Sequence, residues 1–381
     1  MEFIKKIGKS ENGSVTVYVL STLIVVLLVT TTIYIGLRNK TTTQIKQMDK
    51  INREYSVTDT DMQEAYDKAI MGTLESVKGT ETTNTTVKDN LGNKVVVPAG
   101  FKVINPNDNV TNGIVVEDVT HEATKGSQFV WIPVGDVIKD GAGNKETITL
   151  GRYSFDSSGN ATAYSGLYTE DTASNHYSGY ENTIAKDIED FKNKVNNITH
   201  GYYIGRYEAR DKDATETRTS SSNKTNQLVC TANNYVYNYI TQPKAAELSR
   251  GMYSDSNFES DLMNSYAWDT AVYFLQKFDN RTNKASLKPY SQQNSLNDDL
   301  ASQGTNNLRD ASKQDVICNV YDMASNCEEW TTETCRLYDF PCTLRGGFYG
   351  YSGSRNYTST RSSSDTSASS GYDSFRSLLY M

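Results

Sequence analysis

Cys318, Cys327, Cys335 and Cys342 fall within one short stretch of this 381-residue chain, and with Cys230 they are its five thiols. None is spaced as Cys-x-x-Cys, the pattern by which soft thiolates announce zinc. Outside the cell such neighbours form disulfides, so two arrangements stand open: free, buried cysteines, or a local pair such as Cys335 with Cys342. The odd count leaves at least one thiol in either case. A Ser/His/Asp triad on a Gly-x-Ser-x-Gly elbow is absent. Paired carboxylates, Glu328 with Glu329 and Asp310 with Asp315, have the residue type for acid and base work, but they read as solvated charges or fold ligands.

The residue types near the C-terminus suit recognition better than catalysis. From Ser352 to Ser374 the chain holds Ser, Thr, Asn, Asp, Gly, Ala, Arg and Tyr and almost nothing else. Tyr supplies rigid amphipathic contact area and Ser, Gly and Asn supply adaptable hydrogen bonds, as in an antibody paratope. The expected ligand-binding residues, all read as exposed, are Tyr349, Tyr351, Arg355, Asn356, Tyr357, Ser359, Arg361, Ser363, Asp365, Tyr372 and Asp373. A merely solvated loop is the plainer alternative. Yet the stretch runs into Phe375, Leu378, Leu379 and Tyr380, an apolar end that belongs in a core or a sheet.

Stepping outward to the elements, β-rich runs KVVVPAGFKVI, GIVVEDV and SQFVWIPVG between Lys94 and Gly135 are parted by Asn, Asp and Gly clusters, the signature of hairpins. AAELSRGM and LMNSYAWDTAVYFLQKF carry apolar residues at helical spacing. Hydrophobic residues make up 37% of the chain, a low share that 26 Tyr partly offset. A net charge of -8 excludes a general nucleic-acid binder, which needs a basic face.

Val15 to Leu37 carries no charge and would make a helix of roughly 34 Å, enough to span a bilayer. Lys5, Lys6 and Lys9 before it place the N-terminus inside and the large C-terminal part outside. The stretch is too long for a secretory signal, and no small-x-small cleavage site follows it. It resembles the N-terminal helix of pilin-like proteins, with Gly13 as the last leader residue and Val and Tyr where pilins carry an early Glu. Ile45, Met48, Ile51, Tyr55, Met62, Ala65, Tyr66 and Ala69 continue outward as the stripe of an amphipathic stalk. Residues 79–93, rich in Thr, Asn and Gly, read as a linker.

Several segments, in order, resemble the formylglycine-generating enzyme and sulfatase-modifying-factor family: FVWIPVG at 129–135, GYYIGRYEAR at 201–210, SYAWDTAVYF at 265–274, NVYDMASNCEEWTTE at 319–333, then LRGGFY and SFR. The resemblance covers Lys94 to Met381 and implies a C-type-lectin-like fold with many loops and a C-terminal strand locked in the core. The family's oxidases bind copper through two cysteines that fall here on Tyr351 and Asn356, neither able to serve as a thiolate. The related nonheme-iron enzymes need His-x-x-x-His-x-Glu, which His121, His176 and His200 do not form. The family also implies a structural calcium on Asn326 and Glu329 with the Cys327 carbonyl, hard oxygen ligands of the right kind. The other reading makes Asn326 a turn cap and Glu329 an ordinary charge. The serine-rich stretch resembles the variable region of diversity-generating-retroelement target proteins, which place their diversified residues just before the C-terminal strand.

These readings give an α+β chain organised as a basic leader or cytoplasmic tail (1–14), a transmembrane helix (15–37), a helical stalk (38–78), a linker (79–93) and a lectin-like domain (94–381) whose variable region is 345–381. The function expected is display: a non-catalytic, single-pass cell-surface protein that binds a protein or glycan ligand and requires no cofactor, the calcium being an optional structural ion. A metal-dependent oxidoreductase of the same family is the alternative, and a minor pilin that assembles through its N-terminal helix, as a homo-oligomer or pilus, is the third.

Overall fold

Three five-residue turns share the pattern Asp-x-x-Gly-Asn, at 89–93, 140–144 and 156–160, and each is closed in the same way. The Asp Oδ1 accepts backbone N–H groups from two and four residues on, and the Asn Nδ2 donates back to the Asp Oδ2. The Gly takes a positive φ, 96°, 81° and 81° in turn, which a side chain would oppose. Short strands flank all three.

The computed structural model describes residues 71–170, 184–215, 220, 227–232, 235–254, 257–281, 287–293, 315–336, 339–349 and 357–381. The expected membrane helix, the stalk as far as residue 70, Gly13, His176, Asp310, Tyr351, Arg355 and Asn356 lie outside them. Gly72–Met381 forms one compact unit, so the domain starts earlier than Lys94. The linker reading of 79–93 is corrected: Thr85–Lys88 pairs with Lys94–Val97 across the first Asp-x-x-Gly-Asn turn, and Val87 is fully buried. Its threonines are β-branched strand formers, and the Asn and Gly beside them belong to the turn. The start of this unit also replaces the last residues assigned to the stalk, since Gly72–Thr73 is a strand on Thr85–Lys88.

The unit is a mixed α+β fold with few helices. Among the described residues, the strands of its two larger sheets are β1 (Phe101–Val103), β2 (Val115–Asp118), β3 (Gln128–Pro133), β4 (Tyr168–Thr169), β5 (Gly201–Gly205), β6 (Glu259–Leu262), β7 (Glu328–Cys335), β8 (Cys342–Arg345), β9 (Arg361–Ser364), β10 (Asp373–Phe375) and β11 (Ser377–Tyr380). The first sheet is antiparallel throughout, in the order β6-β11-β5-β3-β2-β1. The second runs β4-β7-β8-β9, with β10 parallel to the start of β7.

Among the described residues, three α-helices cover the sheets: α1 (Ile188–Asn193), α2 (Gln242–Gly251) and α3 (Ser265–Lys277). Asn264 caps α3 by accepting from the Ala267 N–H at 2.8 Å. Trp268, Ala271, Phe274 and Leu275 of α3 pack into one core with Trp131 of β3 and Tyr202 of β5. Ala245, Ala246 and Leu248 of α2 close a second core over Trp330, Leu344 and Phe375. Among the described residues no helix is long and apolar enough to cross a membrane.

Candidate ligand-binding surface

Between β10 and β11 lies a single residue, Arg376, and there the chain passes from the second sheet to the first. Its guanidinium is fully buried and donates to Glu329 Oε1 at 2.6 Å and Oε2 at 3.1 Å, to the Gly205 carbonyl at 2.7 Å and to the Tyr321 carbonyl at 2.8 Å. On either side, Phe375 joins the core with Trp330, while Leu378 and Leu379 pair opposite Ile204 and Tyr203. The apolar end is thus anchored in both sheets, as its residue types required.

This geometry does not fit the calcium expected at Asn326, Cys327 and Glu329. Both oxygens of Glu329 are taken by Arg376, whose positive charge stands where a cation would sit. Asn326, in the left-handed region at φ 63°, turns its amide Nδ2 to Glu208, and the Cys327 N–H donates to the same carboxylate at 2.9 Å. Burial, opposed by Arg210, pushes Glu208 up to about 7. Among the described residues no group of three His, Cys, Asp or Glu is placed to hold a metal. All five cysteines are free and buried, so the Cys335 and Cys342 pairing left open by the sequence is not made.

The expected recognition residues divide. Tyr372 is 43% exposed, and its ring lies 4.8 Å from that of Phe348 and 5.6 Å from that of Tyr349. Tyr349 is half-buried against Val236 and Cys327, and its N–H donates to the Asn326 carbonyl at 2.9 Å. Asp365 is exposed and accepts from the Ser367 N–H and hydroxyl, contacts that lower its pKa. Tyr357, Ser359 and Ser363 are half-buried: Lys288 sits 5.7 Å over the Tyr357 ring, the Ser359 hydroxyl donates to the Ser291 carbonyl, and Ser363 faces Thr343 across β8 and β9.

Two expected exposures are corrected: Arg361 is half-buried with its guanidinium turned inward, and Asp373 is buried. The Arg361 side chain is 6% exposed; it donates to Glu333 Oε1 at 2.8 Å and to Asp269, and lies 3.9 Å from the centre of the Tyr164 ring. Arg345 bridges the same two acids, so two guanidiniums tie α3 to β7, β8 and β9, and Arg152 adds a third on Glu333 alone. Burial works against the charge on Arg361, and Asp269 with Glu333 outweigh it. Asp373 stands in register beside Glu328 on parallel strands, and its Oδ2 accepts the Ser370 N–H at 2.9 Å. Burial first, then Asp373, pushes the Glu328 carboxyl up to about 8.

Sequence reading missed Phe348, Glu328 as part of this surface, and Asn238, whose Nδ2 donates to the Gly371 carbonyl at 2.9 Å. The aromatic pair in LRGGFY was the available signal for the first. Asn238 had none, because it reaches the turn only through the fold.

No protein-family model matches the chain, and no curated protein matches it. Solved structures do align with it, among them the two that follow. PvdO from Pseudomonas aeruginosa does so at 12% identity over 48% of this chain and 82% of that one, with a TM-score of 0.34. Variable protein 1 from Treponema denticola does so at 12% identity over 67% of this chain and 96% of that one, also with a TM-score of 0.34. Similarity of that size leaves the function to be argued from the chain's own residues.

Proposed function

We propose that this protein displays a ligand-binding surface outward from a membrane anchor, with a C-type-lectin-like domain of the formylglycine-generating-enzyme kind as the scaffold and no catalysis of its own. The observation that carries the reading is the contrast at the chain's end. Tyr372 lies exposed on an aromatic cluster, while Phe375, three residues on, is fully buried. Such a boundary lets the polar stretch change while the scaffold holds. The mixture of Tyr, Ser, Asn and Asp supports recognition of a protein or glycan, and it supports diversification of the kind directed by retroelements. The uncharged Val15 to Leu37 supports a single membrane span with the domain outside.

The test is a library of the full-length chain randomised at Tyr349, Tyr357, Ser359, Ser363, Asp365 and Tyr372 and panned against several unrelated folded proteins. Binders that lose affinity when these positions are returned to Ala support the reading. A library that stays folded and yields none refutes it.

A further inference from the structure

We propose that the segment Val236, Tyr237, Asn238 and Tyr239 positions two tyrosines of the surface, Tyr372 and Tyr349, for their ligand; the inference rests on the ligand-binding reading above. Among the described residues, the hydrogen bonds that reach Ser370, Gly371 and Tyr372 from outside their own turn both come from this segment. The Tyr239 N–H donates to the Ser370 carbonyl at 2.9 Å, and the Asn238 Nδ2 donates to the Gly371 carbonyl at 2.9 Å. Just past the turn, the Ser374 hydroxyl donates to the Tyr237 carbonyl at 3.3 Å. At the segment's start, Val236 packs with Cys327 against Tyr349. One short segment, 133 residues before the turn, thus supports both rings, whose centres lie 5.6 Å apart.

The segment is itself fixed to the buried end of the chain. The Tyr237 N–H donates to the Ala209 carbonyl and the Ala209 N–H to the Phe375 carbonyl, both at 2.8 Å, and the Tyr237 ring lies 5.8 Å from that of Phe375. Tyr239 takes φ 50°, a left-handed conformation that a side chain opposes and that persists only where its surroundings impose it. Its ring lies against Gly371, where an added Cβ would come within 3.1 Å of the Tyr239 hydroxyl. Glycine lets the turn close on that ring. Asn238 is fully buried, so its effect on binding passes through the main chain of the turn. A ring already held in place loses less freedom on binding than one on a loose turn, and tyrosine is a residue type that carries interface energy. Because the two bonds run to main-chain carbonyls, they hold whichever side chain stands at 372, as a varying surface requires.

The experiment follows amide hydrogen exchange at 370–374 and across β11 in the full-length parent, Asn238→Ala and Tyr239→Gly. The same two changes are made in a clone of the randomised library that keeps Tyr372 and loses its panned target in Tyr372→Ala. The result expected is exchange at 370–374 at least tenfold faster with β11 unchanged, and a loss of target affinity of at least tenfold in Asn238→Ala and threefold in Tyr239→Gly. Tyr239→Gly keeps the N–H that bonds Ser370 and suits φ 50°, so it carries the test if Asn238→Ala folds poorly. Unchanged exchange at the turn, an equal rise at the turn and β11, or unchanged affinity overturns the proposal. If any of these occurs while the library yields binders, this inference falls alone; if the library yields none, the display reading falls and the segment's role in binding falls with it.

Discussion

Arg376 and Glu329 meet as a fully buried, two-point ion pair at the single residue between β10 and β11, where the chain passes from the second sheet to the first. The pair answers two questions at once: what holds the chain's end, and why Glu329 is not free for a metal. Removing one partner of a buried pair leaves the other charge stranded, at a cost of about 3–5 kcal/mol. Arg376→Met should therefore destabilise the domain by about that much in urea unfolding, and parent melting curves should coincide in calcium and in chelator. A calcium-dependent rise in the parent's melting temperature would contradict the pairing.

Arg361 looks like a paratope residue in sequence and behaves as a strut in the structure. Its loss would leave Asp269 and Glu333 sharing Arg345 and Arg152 alone. Arg361→Ala should cost at least 2 kcal/mol, against about 0.5 kcal/mol for Asp365→Ala, which is exposed. Equal costs for the two, measured by denaturant unfolding, would return Arg361 to the surface.

Burial first, then Glu333, pushes the Glu170 carboxyl up to about 7 from 4.5. A raised carboxyl holds its proton more tightly in the folded state, so its stabilising contribution is complete below about pH 4.5 and is lost as pH climbs through about 7. Glu170→Gln keeps one oxygen to accept from the Ser265 N–H, and its Nε2 can donate to the Thr332 hydroxyl oxygen in place of the bond that Glu170 accepts from it. It should gain on the parent between pH 5 and pH 8 by up to about 3 kcal/mol. Parallel stability curves for variant and parent would show that Glu170 does not titrate in this range.

The five thiols should be silent in the native protein. All are buried, and burial pushes Cys230 and Cys342 up to about 12. A thiol-reactive chromophore should label none within minutes at pH 8 and all five in denaturant. Rapid labelling of one in the native state would place it at the surface.

How much of this was legible varies with the range of the cause. FVWIPVG and GYYIG announced β3 and β5 because strands buried on both faces are continuous apolar and aromatic runs. SYAWDTAVYF announced α3 through its spacing, and the final apolar residues announced β11. The linker reading failed because Asp-x-x-Gly-Asn and its threonines have loop composition yet build a hairpin. Arg361 and Glu329 failed for another reason. Their partners, Asp269 and Arg376, lie far along the chain, and no local pattern distinguishes an arginine facing solvent from one facing two buried acids.

The central claim, that a varying surface rides on a locked terminus, is tested most directly by thermal and urea unfolding of Tyr372→Ala beside Leu378→Ala in the full-length chain. Leu378 is fully buried and pairs opposite Ile204, so its truncation should cost about 2–5 kcal/mol. Tyr372, 43% exposed, should cost about 0.5 kcal/mol or little more. If Tyr372→Ala unfolds the domain as readily as Leu378→Ala, surface and scaffold are one structure and the account is wrong.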